Sequence, residues 1–134
     1  MDYWKHHING ILANKKVEDV AIAGLSGNKC MWAAKPGGLL TAISPQEVSL
    51  ITGRDRKMLL LTGITVADKK CTVIRDSLLV HEDDAMDVRS KGSDSRSSCI
   101  GKTPQALIFL MGKKGVPRGA LNQKVHHMIV GVKA

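Results

Sequence analysis

Five histidines, three cysteines and a run of carboxylates are the residues from which a metal site or catalytic centre would have to be built. His6-His7 and His126-His127 are adjacent pairs, and neighbouring side chains on a helix diverge by about 100°, so neither pair closes easily on one ion. The i,i+4 histidine spacing of helical zinc sites is missing, as is any Cys-x-x-Cys. No metal and no cofactor are expected. Glu82, Asp83, Asp84 and Asp87 read as a solvated acidic turn between strands rather than as paired catalytic carboxylates. Gly-x-Ser-x-Gly, Walker and Gly-x-Gly-x-x-Gly signatures are lacking, and no nucleophile can be matched to a base. The chain therefore reads as a binding protein and not an enzyme.

Aromatic side chains are few: Tyr3, Trp4, Trp32 and Phe109. So small a supply disfavours stacking of successive bases, and nucleic acid is not an expected partner. Tyr3 and Trp4 on an opening helix could instead converge with Trp32 on an early strand. Such a groove would suit a proline-rich segment, whose preformed extended helix loses little entropy on docking. The competing reading makes both tryptophans ordinary core residues.

The formal charge of +8 is unevenly placed. Residues 1–87 hold eleven Lys or Arg against eleven Asp or Glu, whereas residues 88–134 hold nine basic residues and only Asp94. The final third thus predicts a basic face turned to an acidic partner, with association that slows as salt rises. Its plainer reading is a solvated face that aids solubility.

These residues need a scaffold, and 134 residues suffice for one domain over residues 1–134 with a modest core. The longest apolar run, Ala106 to Met111, is six residues, far short of the about 20 that a helical membrane span needs. No secretory signal is expected at the polar N-terminus. Three widely spaced cysteines fit free thiols in a reducing compartment.

Trp4, Ile8, Ile11 and Leu12 recur at helical spacing behind Asp2, predicting a short helix that ends near Asn14. Val17 to Leu25 and Lys29 to Ala34 read as strands joined by Ser26-Gly27-Asn28. Ser44-Pro45-Gln46-Glu47 is a strong helix start: a Ser cap, Pro at the first turn and Glu three residues on, with Gly53 as the stop. Met58 to Leu61, Lys69 to Leu78, Ala85 to Ser90 and Gln105 to Met111 read as further strands. Pro117 can open a last helix with Leu121, Val125, Met128, Ile129 and Val132 along one stripe. The expected class is α+β: a central antiparallel sheet of about six to seven strands, with N- and C-terminal helices on one face and small helices on the other.

Trp4, Val20-Ala21-Ile22, Trp32-Ala33 with Pro36-Gly37, and Ile43-Ser44-Pro45-Gln46-Glu47-Val48 run in a familiar order. They are followed by Gly53-Arg54-Asp55-Arg56, Cys71-Thr72-Val73-Ile74-Arg75-Asp76-Ser77-Leu78-Leu79, Met86-Asp87-Val88-Arg89 and Leu110-Met111-Gly112-Lys113-Lys114-Gly115-Val116. On these residues the chain resembles the profilins, small cytosolic proteins that bind monomeric actin, proline-rich ligands and phosphoinositides. Pro36-Gly37-Gly38-Leu39-Leu40, Lys91-Gly92 with Asp94 and Arg96, and the shortened segment before Gln105 are most similar to the third vertebrate form, the male germ-line one. The resemblance implies a cytoplasmic, cytoskeletal monomer, with the nucleus as a second location and a role in spermatogenesis.

Carried over, the actin surface falls on Lys70, Thr72, Val73, Arg75, Arg89, Lys91, Val116, Gly119, Asn122 and His126. Strict strand alternation puts Val73 and Arg75 on one face and Ile74 on the other. The helix end departs from the family pattern: Pro117-Arg118-Gly119 replaces His-Gly-Gly, His126 a tyrosine and His127 a glutamate, which implies retained but weaker actin binding. The proline-rich site falls on Trp4, His7, Trp32 and Val132, with His7 in a tyrosine position and Gly131 in a histidine position, which implies weak or absent binding. Phosphoinositide contacts fall on Lys70, Arg89, Lys91, Lys113 and Lys133, in accord with the charge placement. The leading function is an actin-monomer-binding regulator of polymerisation. The alternatives are a phosphoinositide adaptor with vestigial actin binding and a scaffold for proline-rich partners.

Overall fold

The computed structural model describes residues 17–25, 31–34, 38–53, 56–78, 85–90, 97–103 and 106–112. Seven antiparallel strands form one sheet: β1 (Val17–Gly24), β2 (Met31–Ala34), β3 (Ile64–Val66), β4 (Lys69–Ser77), β5 (Ala85–Ser90), β6 (Ser97–Lys102) and β7 (Ala106–Gly112). Their order is β2-β1-β7-β6-β5-β4-β3, so the first and last of the described strands lie side by side. A 3-10 helix spans Leu39–Ala42, and two α-helices follow, α1 (Pro45–Ile51) and α2 (Arg56–Thr62). The expected sheet with small helices is present, and the predicted terminal helices lie outside the described residues.

All of β7 is buried, which explains why it reads as an unbroken apolar run rather than an alternating one: both of its faces are covered. Leu107, Phe109 and Met111 join Ala21, Ile100, Met86 and Val88 in a core shared with Val48, Ile51 and Leu59 of the small helices. Val20, Ile22, Ile108 and Leu110 belong to the opposite face and are equally buried.

Helix α1 starts as its sequence predicts. Ser44 Oγ accepts from the Glu47 amide at 3.2 Å, and Glu47 Oε1 accepts from the Ser44 amide at 2.8 Å. The other carboxylate oxygen, Oε2, accepts from the Asp68 amide at 2.9 Å. That amide lies in the two-residue β3–β4 turn, where Ala67 and Asp68 both take left-handed backbone, with φ of 53° and 66°. A second carboxylate, Asp19, does the same for the 3-10 helix. Its Oδ2 accepts from the Leu40 amide at 3.0 Å and its Oδ1 from the Val20 amide at 2.8 Å. Gly38 lies so close to this carboxylate that any Cβ there would collide with it.

Met58 to Leu61 form a helix, not the expected strand. Met and Leu are strong helix formers, the run has no β-branched residue, and four apolar residues cannot by themselves distinguish the two states. Gly63, with φ of 79°, ends the helix by donating its amide to the Leu59 carbonyl at 2.8 Å. Strands β3 and β6 and the 3-10 helix are further elements that the sequence reading omits.

Replacing Ala67-Asp68 by Asn-Gly, the pair suited to left-handed turns, is expected to raise stability by about 1 kcal/mol in urea unfolding. Glu47→Ala, which removes both carboxylate bonds, is expected to lower it by about 2 kcal/mol in the same assay.

Candidate functional site

The outer face of β4 and β5 gathers the cationic residues singled out from sequence. Lys70, Thr72 and Arg75 on β4 are exposed, and so is Arg89 on β5. The register sets Thr72 directly across from Arg89, Val73 across from Val88 and Arg75 across from Asp87. Directly opposed antiparallel residues carry their Cβ atoms about 5 Å apart, so a hydroxyl, two guanidinium groups and a carboxylate share one small area. Asp87 is only 4% exposed and lies between Arg75 on β4 and Cys99 on β6. An opposite charge across the strand favours burial of that carboxylate and holds the arginine to the sheet surface.

The expected alternation fails at one point. Val73 is 6% exposed and belongs to the core, whereas Arg75 is exposed and Ile74 is 42% exposed. Between Val73 and Arg75 the pairing with β5 shifts by one residue. This is a β-bulge: Ile74 is the extra residue, and everything after it changes sides. Without the bulge Arg75 would share the core-facing side of Val73. With it, Arg75 joins Thr72 and Arg89 outside. Val73 therefore belongs to the core cluster, and Ile74, expected to point inward, is an apolar member of the outer surface. Sequence reasoning missed Ile74 because a bulge leaves no residue-type signal in Val-Ile-Arg.

Cys71, on the core side of β4, has its thiol pushed up from its usual range, first by burial and then by the nearby Glu47 carboxylate. Both Cys71 and Cys99 are buried thiols. No group of three or more His, Cys, Asp or Glu side chains is placed to hold a metal among the described residues. Of the other sequence candidates, Trp32 lies on the edge strand β2, whose backbone pairs with β1. Trp4, His7, Lys91, Lys113, Val116, Gly119, Asn122, His126, Val132 and Lys133 lie outside the described residues.

Residues 2–131 match the profile of a single family, described as Profilin. The chain belongs to the profilin family. It is 51% identical to profilin-3 of Rattus norvegicus over 133 residues, covering 99% of this chain and 97% of that one. It is 48% identical to profilin-3 of Homo sapiens, with the same coverages. The structure of mouse profilin IIa in complex with a double repeat from the FH1 domain of mDia1 superposes with a TM-score of 0.92 at 36% identity. That match covers 96% of this chain and 95% of the mouse one. Membership carries the family's coarse role, actin binding that regulates polymerisation, and the likeness to the third form agrees with the motif reading.

The raised Cys71 titration has a signed consequence. The unfolded thiol ionises first, so stability is expected to fall as pH climbs from about 8 to about 10. In Cys71→Ala that slope is expected to flatten, as read by urea unfolding at a series of pH values.

Proposed function

We propose that this profilin binds monomeric actin through the outer face of β4 and β5 and thereby regulates filament assembly. The observation that carries the reading is the bulge at Ile74, which brings Arg75 to the face of Lys70, Thr72 and Arg89. Guanidinium forks donate two parallel hydrogen bonds to a carboxylate, so an acidic protein surface is the fitting partner. Lys91, Val116, Gly119, Asn122 and His126 extend the contact by family resemblance. The substitutions at 117–127, with His127 in the place of a family glutamate, weaken it relative to the commoner profilins.

Phosphoinositides compete for the same cations, Lys70, Arg89 and Lys91, together with Lys113 and Lys133. The basic excess after residue 87 supports this half of the reading. Proline-rich ligands bind weakly or not at all. The mouse relative is found with a double repeat from the FH1 domain of mDia1, but His7 and Gly131 stand here where the family pattern has a tyrosine and a histidine. The proposed setting is the cytoplasm, cytoskeleton and nucleus of male germ cells. Among the described residues no helix is long and apolar enough to cross a membrane.

In a pyrene-actin assembly assay the native protein is expected to slow spontaneous assembly, and Arg75→Glu to weaken that effect at least about tenfold. Equal action by both proteins, or by neither, would overturn the assigned surface. Intrinsic tryptophan fluorescence is expected to stay unchanged on adding a proline decamer, and a saturable change would restore the proline-rich site.

A further inference from the structure

One row of side chains crosses the sheet from a covered half to an open one. The register sets Val20 on β1 against Leu110 on β7, Leu110 against Cys99 on β6, Cys99 against Asp87 on β5, and Asp87 against Arg75 on β4. Val20, Leu110 and Cys99 are wholly buried, Asp87 is nearly so, and Arg75 is exposed. Asp87 is thus the last buried member of the row, with a thiol on one side of it and a guanidinium on the other. Its own strand adds a second cation. Met86 and Val88 turn to the core, so Arg89, two residues on from Asp87 and about 7 Å along the strand, shares the outer face with it.

A carboxylate withdrawn from water needs a charged or hydrogen-bonding partner, and the other buried members of the row, two apolar residues and a thiol, bring no charge to it. The arginines gain from the arrangement in turn. Long cationic side chains repel one another and spread over many rotamers in water, whereas an anion set between them draws both toward fixed places. A guanidinium carries more N–H donors than one carboxylate can engage, so the same arginine serves a buried anion and an outside ligand at once. Two kinds of ligand respond differently to this. Carboxylates of a folded protein stand at set positions, so binding them gains from arginines already in place. A phosphorylated lipid headgroup is mobile and multiply charged; it adapts to arginines wherever they stand and is drawn by net positive charge, which Asp87 lowers.

We infer that Asp87 is a positioning residue that makes the β4–β5 face selective: by holding Arg75 and Arg89, it favours the fixed carboxylates of actin over phosphoinositide headgroups. This rests on the proposed function, in which the two ligands compete for one face, and adds the residue that divides the face between them.

The test is Asp87→Asn, which keeps the shape of the side chain and removes its charge. Affinity for monomeric actin, read from pyrene-actin assembly, is expected to weaken about fivefold as the arginines lose their anchor. Sedimentation with phosphatidylcholine vesicles carrying about 5% phosphatidylinositol bisphosphate is expected to strengthen about fivefold, because one negative charge has gone from the face. Opposite signs are the signature: a merely structural role weakens both ligands, and a merely electrostatic one strengthens both. Either of those results, or no change with either ligand, overturns the selectivity. In the native protein the Nε–H groups of Arg75 and Arg89 are expected to be as rigid as the backbone by NMR relaxation, and in the variant as mobile as other surface side chains. Mobile Nε–H groups in the native protein overturn the positioning role, even where the variant fails to fold. An actin effect that Arg75→Glu leaves untouched sinks the assigned surface and the selectivity with it. Loss of the actin effect in Arg75→Glu, without the opposed shifts in Asp87→Asn, sinks the selectivity alone.

Discussion

A strand in a sheet offers each side chain only two directions, and β4 has to serve a packed core and a charged outer face at once. Cys71 and Val73 spend the inward direction on the core, which leaves the outward one for Lys70 and Thr72. Continued without interruption, that alternation would bring Arg75 inward, where an unpaired guanidinium carries a desolvation penalty of several kcal/mol. One extra residue removes the conflict. The shift between Val73 and Arg75 lets the strand keep its valine in the core and its arginine outside, opposite Asp87. The cationic face, and the function proposed for it, depend on that local irregularity more than on any single contact.

Two buried carboxylates hold the surrounding pieces in place. Glu47 joins the start of α1 to the β3–β4 turn, and Asp19 joins β1 to the 3-10 helix. Each satisfies backbone amides that would otherwise lack partners, as helix starts and left-handed turns require. Glu47 thereby compensates a turn whose residues are poorly suited to it, since Ala67 and Asp68 adopt backbone usually left to Gly or Asn. Through that turn the small-helix layer sets the start of β4, the strand that carries most of the candidate site.

How much of this was legible in the sequence depended on the range of the interaction. The capping box at Ser44 and Glu47 is local, three residues apart, and its helix was readable almost to the residue. Strands β1, β4, β5 and β7 were readable because each carries a long apolar or alternating pattern. At Met58 to Leu61 the environment, not the composition, decides between helix and strand, so the run is not legible by itself. Ile64–Val66 is too short and Ser97–Lys102 too polar to be legible, because both owe their state to neighbouring strands. The identities of the cationic site residues came from motif order, whereas the side of the sheet on which Arg75 falls came only from the pairing register.

The strand at one border of the sheet, β3, has three residues, and the one at the other border, β2, has four. Each therefore presents only a short row of backbone groups to a neighbouring molecule, and beside β3 the tight Ala67-Asp68 turn ends the row at once. Long flat borders invite copies of a chain to zip together into fibres, whereas borders this brief give a growing fibre almost nothing to grip. Among the described residues, the sheet of this family member thus offers a neighbouring copy little backbone to pair with.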